Sequence, residues 1–284
     1  MNTETGQSEI FAPGLLDGTV ALVTGGGTGL GKATALELAR CGAKVTITGR
    51  REEVLREAAE ECSRAVGQVE AMPGDVREPG QASRLVSSVL DRHGQLDLLV
   101  NNAGGQFFSP AELIAAKGWQ AVWRLNVEGM LNMSGAAHTL AFCGGRGGTI
   151  VNVTLSPHHG MPGMAHSGAA RATVEALTRG LAERWRADGV WVAAVAAGVF
   201  ETEVLAKYPE QVRAGMSSTV PLQRLGTTEE HAWLVTLLAS PLGRGFSGST
   251  ITLDGARDNW WGTWPPPGLT DETGAVPVEE RRQR

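Results

Sequence analysis

Thr24-Gly25-Gly26-Gly27-Thr28-Gly29-Leu30-Gly31 is the stretch that decides the fold. It follows the apolar run Thr19-Val20-Ala21-Leu22-Val23 and precedes a segment from Lys32 to Arg40 made of helix formers. A strand, a glycine turn and a helix in that order form the context in which such a motif binds a dinucleotide. Gly25 permits the tight turn, Gly29 lets the backbone approach a pyrophosphate, and Gly31 lets the helix pack on the sheet. The helix N-terminus supplies free N–H groups for the anion. Thr24, Gly25, Gly27, Thr28, Gly29, Leu30 and Gly31 are therefore the first candidate cofactor-binding residues; a purely structural loop is the alternative.

Outward from this turn the pattern repeats. A β-branched run from Lys44 to Thr48 reads as a strand, Glu52 to Ala65 as a helix, Val69 to Met72 as a strand and Gln81 to Arg92 as a helix. Leu96 to Val100 is a strand, Gly118 to Leu140 a long helix, Gly148 to Val153 a strand and His166 to Arg186 a second long helix. Val190 to Val195 is another strand. After a weakly periodic stretch from Gly198 to Gly226 come a helix starting near Thr228 and a last strand at Thr250 to Leu253. Such alternation predicts an α/β protein: a single-domain Rossmann fold, doubly wound, with a parallel sheet and helices on both faces.

The sequence divides into an N-terminal extension (1–17), the dinucleotide-binding domain (18–257) and a Trp/Pro-rich tail (258–284). Trp260, Trp261 and Trp264 precede Pro265-Pro266-Pro267, which excludes a helix there. The tail reads as a surface strap, or as a lid over an apolar substrate or a clasp on another subunit. At 284 residues one domain suffices, and 42% apolar with 19% charged residues describes a globular chain. A net charge of −5 without a basic cluster argues against a nucleic-acid partner. Cys41, Cys62 and Cys143 show no metal or redox spacing and read as buried thiols, with no metal site. The N-terminus lacks a signal-like segment and no run of ~18 apolar residues occurs, so the expected setting is the cytoplasm, with no membrane partner.

At the end of the second strand stands Gly49-Arg50-Arg51, where a carboxylate would select NAD through the ribose diol. A guanidinium pairs instead with a 2′-phosphate, so Arg50 and Arg51 predict NADPH/NADP+; two solvated arginines at a helix start are the bland alternative.

Asp75-Val76 after the third strand, Asn101-Asn102-Ala103-Gly104 after the fourth and Asn126 in the next helix complete a set. With the glycine turn they resemble the short-chain dehydrogenase/reductase family from Leu16 to Gly255. The resemblance implies that Asp75, with Val76, reaches the adenine and that Asn102, Ala103 and Gly104 line the cofactor cleft. It also implies that Val199 and Thr202 lie near the nicotinamide and that Asn126 positions water or substrate. Family members usually carry a proton-exchanging tyrosine, a lysine four residues later and a serine about thirteen residues earlier. Here those places hold Ser167, Arg171 and Thr154, and the one tyrosine is Tyr208. An aliphatic hydroxyl is a far weaker acid than a phenol with pKa of about 10. A permanently charged arginine can hold the nicotinamide ribose but relays no proton.

The segments His166 to Ala172 and Asn102 to Glu112 resemble the peroxisomal trans-2-enoyl-CoA and dienoyl-CoA reductase branch, which also lacks tyrosine at the common place. The tail at Asp258-Asn259-Trp260-Trp261 resembles bacterial citronellol or citronellal dehydrogenases. Candidate catalytic residues are Asn126, Thr154, Ser156, His158, His159, Ser167 and Arg171. The histidines, His166 among them, are weighed as proton donors to an enolate and, alternatively, as packing or surface groups. The two long helices resemble those of the family's tetramer, implying a homotetramer or homodimer. Three functions follow: reduction by NADPH of an activated C=C bond in an enoyl thioester or related small apolar substrate; oxidation of an apolar, terpenoid-like alcohol; or a cofactor-binding or non-redox protein that has lost the relay.

Overall fold

The computed structural model describes residues 6–67, 69–156, 158, 163–203, 205 and 216–259. His159, Tyr208 and the tryptophan–proline tail from Trp260 lie outside the described residues. Seven strands form one parallel sheet: β1 (Val20–Thr24), β2 (Lys44–Gly49), β3 (Val69–Pro73), β4 (Leu98–Asn101), β5 (Gly148–Leu155), β6 (Val190–Ala197) and β7 (Thr250–Leu253). Their order is β3-β2-β1-β4-β5-β6-β7, all neighbours parallel, so the expected doubly wound sheet is present. The helices are α1 (Gly29–Arg40), α2 (Glu52–Val66), α3 (Pro79–His93), α4 (Ala116–Trp123), α5 (Gly129–Ala137), α6 (Ala165–Trp185) and α7 (Thr228–Ala239).

The two faces of β1 show how the sequence builds both layers. Ala21 and Val23 pack with Leu38 of α1, Leu55 of α2 and Val235 of α7, whereas Val20 and Leu22 pack with Val86 of α3 and Met133 of α5. Alternation with period two puts successive side chains on opposite faces, and both faces are buried. The N-terminal extension is pinned rather than separate: Leu16 N–H donates to Cys41 O (2.8 Å) and Ser8 Oγ to Glu37 Oε1 (2.5 Å).

Three local readings change. The long helix runs from Ala116 to Phe142 with π-helical turns at Arg124–Glu128 and His138–Phe142, the first containing Asn126. β5 and β6 each extend two residues further, because Thr154 and Leu155 pair with Ala196 and Ala197, a polar and small-residue pairing that apolar alternation does not flag. Cys41 and Cys62 are buried, their thiols pushed up to about 11 by burial, but Cys143 is only partly covered, its Sγ donating to Thr139 O.

His231 of α7 is fully buried against α1, with Thr34 Oγ1 3.4 Å from Nδ1, Phe200 edge-on and Nε2 without a described partner. Burial pushes its pKa down to about 4. Since the unfolded value is about 6.5, neutral burial contributes stability that is intact above that pH and is lost as the pH falls through the folded value. The shift corresponds to on the order of 3 kcal/mol. The thermal midpoint is expected to drop between pH ~6.5 and ~4, and His231→Leu to flatten that slope; an unchanged acid slope in the variant contradicts the assignment.

Candidate active site

The strand order reverses between β1 and β4, and in open α/β sheets ligands bind beyond the carboxyl ends of the strands at that point. The glycine turn follows β1 and Asn101–Gly104 ends β4, so the two meet there. Thr24 Oγ1 donates to Val100 O (3.2 Å) and accepts from the N–H groups of Asn102 (3.0 Å) and Ala103 (2.9 Å). Asn102 Nδ2 donates to Thr24 O (3.0 Å) and Gly25 O (3.2 Å). Gly25 adopts φ +66° in the turn, a left-handed conformation open to glycine.

Thr28, at the α1 N-cap, makes no side-chain cap, leaving the first-turn N–H groups to other acceptors. Gly29 N–H donates to the Glu203 carboxylate (3.2 Å), and Thr202 lies beside Gly29, 3.4 Å from where a Cβ would stand. A carboxylate from the segment after β6 thus occupies the position of an anion, and the residues present fit a pyrophosphate. Gly27 backs onto Val54, and Leu30 packs against the core.

Arg50 and Arg51 are exposed just after β2, and among the described residues their side chains make no hydrogen bond or ion pair. Asp75 is held by Arg77, whose Nε lies 2.9 and 3.0 Å and Nη2 2.5 Å from its carboxylate. These bonds hold its carboxyl below the usual range, with Arg50 adding to the effect. Val76 is a core residue against Gly129, and Val199 O accepts from Gly226 N–H (3.0 Å).

At the carboxyl end of β5 lies a polar cluster. Asn126 is buried; its Nδ2 donates to Gly105 O (2.9 Å) and Val122 O (2.7 Å), and its Oδ1 accepts from Gly105 N–H (3.2 Å). Arg171 Nη1 donates to Val153 O (2.7 Å), while its Nε is buried without a partner. Burial pushes this guanidinium down to about 10, so it stays charged at neutral pH. A Cβ on Gly104 would collide with Arg171 Nη2 and lie 2.8 Å from Asn126 Oδ1, so only glycine fits between them.

Thr154 Oγ1 donates to Glu175 Oε1 (2.7 Å), and His158 Nε2 lies 3.0 Å from the same oxygen. His158 Nδ1 is hydrogen-bonded to Asp258 Oδ2, and its backbone N–H donates to Asp258 Oδ1 (2.6 Å). Burial opposes a charge on this imidazole, but the bond to Asp258 and the charge of Glu175 outweigh it and raise its pKa. Ser156 Oγ donates to Asp254 Oδ2, which also accepts from Asp258 N–H (2.8 Å).

Ser167 stands apart from this chain, fully buried, with Oγ 3.4 Å from Gln106 Oε1. His166 is buried with Phe107 and Trp119 edge-on and neither ring nitrogen satisfied, its pKa lowered by burial. Three participants were not singled out from sequence: Glu175, Asp254 and Glu203. Glu175 carried a signal, because Ser167, Arg171 and Glu175 repeat at i, i+4 on one stripe of α6.

A family model described as enoyl-(acyl carrier protein) reductase matches residues 25–256. A Bacillus subtilis protein named "Probable 2,4-dienoyl-CoA reductase" is 36% identical over 249 residues, covering 86% of this chain and 97% of the relative. The chain belongs to the short-chain dehydrogenase/reductase family. It is an oxidoreductase of that family, whose members use a nicotinamide cofactor. Among solved short-chain dehydrogenases/reductases, a citronellol catabolism dehydrogenase of Pseudomonas aeruginosa is 40% identical, with TM-score 0.79 over 88% of this chain and 98% of that one. One from Burkholderia cenocepacia, in complex with NADP, is 29% identical, with TM-score 0.77 over 84% of this chain and 98% of that one. Among the described residues no helix is long and apolar enough to cross a membrane, and no cluster of His, Cys, Asp and Glu could hold a metal.

Proposed function

We propose that this short-chain dehydrogenase/reductase uses NADPH to reduce an activated carbon–carbon double bond, in an enoyl thioester or a related apolar substrate. The observation that carries this reading is the buried Ser167 at the place of the family tyrosine, with an enclosed arginine at the place of the lysine. Reduction of a simple carbonyl concentrates negative charge on one oxygen and demands a matched acid as it forms. Reduction of a conjugated double bond spreads that charge into an enolate, which fixed dipoles and a cation hold until a proton arrives. The site has such groups: Asn126 locks the Gly104–Gly105 backbone, and Arg171 supplies a permanent charge behind it.

The cofactor is held, in this reading, by the glycine turn, the α1 N-terminus, Asn102 to Gly104, Val199 and Thr202, with Glu203 giving way to phosphate. Bound there, NADPH supplies the hydride. Arg50 and Arg51 bind its 2′-phosphate, and Asp75 and Val76 flank the adenine. Phe107, Phe108 and Trp119, all exposed, offer apolar surface to the substrate. The chain works as a homotetramer or homodimer through the outer faces of α4 to α6, where Leu131 and Trp123 are exposed. Replacing Arg50 and Arg51 together by Ala is expected to weaken NADPH ~10–100-fold, the worth of charged hydrogen bonds, while NADH binding barely changes. Equal losses for both coenzymes contradict the assignment.

Oxidation of an apolar terpenoid-like alcohol by NADP+ is the second reading, favoured by the identity to the citronellol catabolism dehydrogenase. One assay separates the two: purified protein with NADPH and an enoyl thioester, then with NADP+ and citronellol, followed at the nicotinamide absorbance. Turnover of the thioester supports the first reading and turnover of citronellol alone the second. Tight NADPH binding with neither turned over leaves a cofactor-binding protein.

A further inference from the structure

Between Thr154 and solvent, the cluster at the end of β5 forms an unbroken path of proton-exchanging groups. Thr154 is 2% exposed, the Glu175 side chain 11% and that of His158 35%, so accessibility rises steadily along the hydrogen-bonded chain. A single oxygen, Glu175 Oε1, touches both the hydroxyl at 2.7 Å and the imidazole at 3.0 Å. Among the described residues, the groups facing His158 are Glu175 from α6 and Asp258 from the turn after β7. Asp254, next on that turn, is joined to Asp258 through its backbone N–H and lies near Arg257. Both carboxylates favour the charged imidazole and raise its pKa, and each ring nitrogen is engaged by one of them, which leaves no free N–H to point at a substrate. His158 therefore serves as a reservoir behind another donor.

We propose that Thr154, Glu175 and His158 form a proton relay that does the work of the absent tyrosine–lysine pair, with Glu175 as the positioning residue that couples its ends. The inference rests on the proposed double-bond reduction. There the substrate gains a hydride at one carbon, and the π pair becomes an enolate. The Glu175 carboxylate first takes the proton of His158 Nε2, which frees the Thr154 hydroxyl hydrogen from Glu175 Oε1; the hydroxyl then gives its proton to that enolate as it takes the one Glu175 now carries. Glu175 is again a carboxylate, and solvent returns one proton to the imidazole. One hydride and one proton are added, and all three side chains end as they began. Because the hydroxyl gives and takes a proton in the same step, no free alkoxide forms, which resolves the weakness of an aliphatic alcohol as an acid.

Two measurements on the full chain test this. Imidazole titration of His158 by NMR, without coenzyme or substrate, is expected above the usual histidine range in the wild type and to fall in Glu175→Gln; an unchanged titration overturns the relay whatever the turnover. With NADPH and an enoyl thioester, Glu175→Gln is expected to lower kcat ~10²-fold or more, as loss of an acid does, with KM little changed. The fall in wild-type rate at high pH, as His158 loses its proton, is expected to vanish in that variant, and Glu175→Asp to restore much of the rate. Thr154→Val, which keeps the side-chain shape, should show the same kcat loss if Glu175→Gln does not fold. Wild-type kcat and pH profile in these variants overturn the relay alone. A wild type that never oxidises NADPH with any enoyl thioester overturns the proposed reaction, and with it the relay as a catalytic device.

Discussion

Gly31→Ala is expected to abolish coenzyme binding, or to weaken it at least ~100-fold, the loss that follows when a pyrophosphate can no longer reach several charge-assisted N–H groups. A Cβ at this position would collide with the Gly25 carbonyl oxygen and with Asn102 Nδ2, and lie 2.9 Å from the Gly25 carbonyl carbon. Two of these atoms belong to backbone in the glycine turn and cannot swing aside. The third makes the bonds to Thr24 O and Gly25 O that tie the turn to the end of β4. One methyl group therefore either lifts α1 from the sheet or breaks the tie between the two halves of the nucleotide site. Overpacking of this kind typically destabilises by ~1–3 kcal/mol, so the chain is expected to stay folded. Calorimetric titration of NADPH into the variant, alongside a melting curve, measures both effects. Wild-type affinity in Gly31→Ala would show that the turn does not seat the phosphates.

Arg171→Met carries the second large effect, a fall in kcat/KM of ~10²–10³-fold, the range for removing one preorganised donor from a developing oxyanion. Its thermal midpoint is expected to hold or rise, because an enclosed cation replaced by an apolar side chain of similar length is often neutral or stabilising. The one bond at risk is Nη1 to Val153 O (2.7 Å). Opposite signs for activity and stability separate a functional charge from a structural one. Arg171→Lys is expected to recover most of the rate, since it restores a cation at that place. Equal losses of rate and stability in Arg171→Met, unrelieved by lysine, would make Arg171 a packing residue.

Much of the fold was legible because its signals are local. The glycine turn needs no distant partner to be recognised, and strands buried on both faces announce themselves as apolar runs. The last residues of β5 and β6 were hidden because Thr154 pairs with Ala196, a polar and a small residue lying beyond the apolar runs. The π-helical turn at Asn126 inserts an extra residue without leaving a trace in composition. The clasp of Arg77 on the Asp75 carboxylate was not legible in the sequence. The link from Thr154 through Glu175 to Asp258 spans β5, α6 and the turn after β7, a conjunction that only the folded chain creates.

The most direct test is calorimetric titration of NADPH and of NADH into the full, folded chain. Saturating heat from NADPH, with NADH clearly weaker, is the expected result, since it requires both the α1 N-terminus and the arginines after β2. No heat from either coenzyme in folded protein would contradict the nucleotide site on which the proposed chemistry depends.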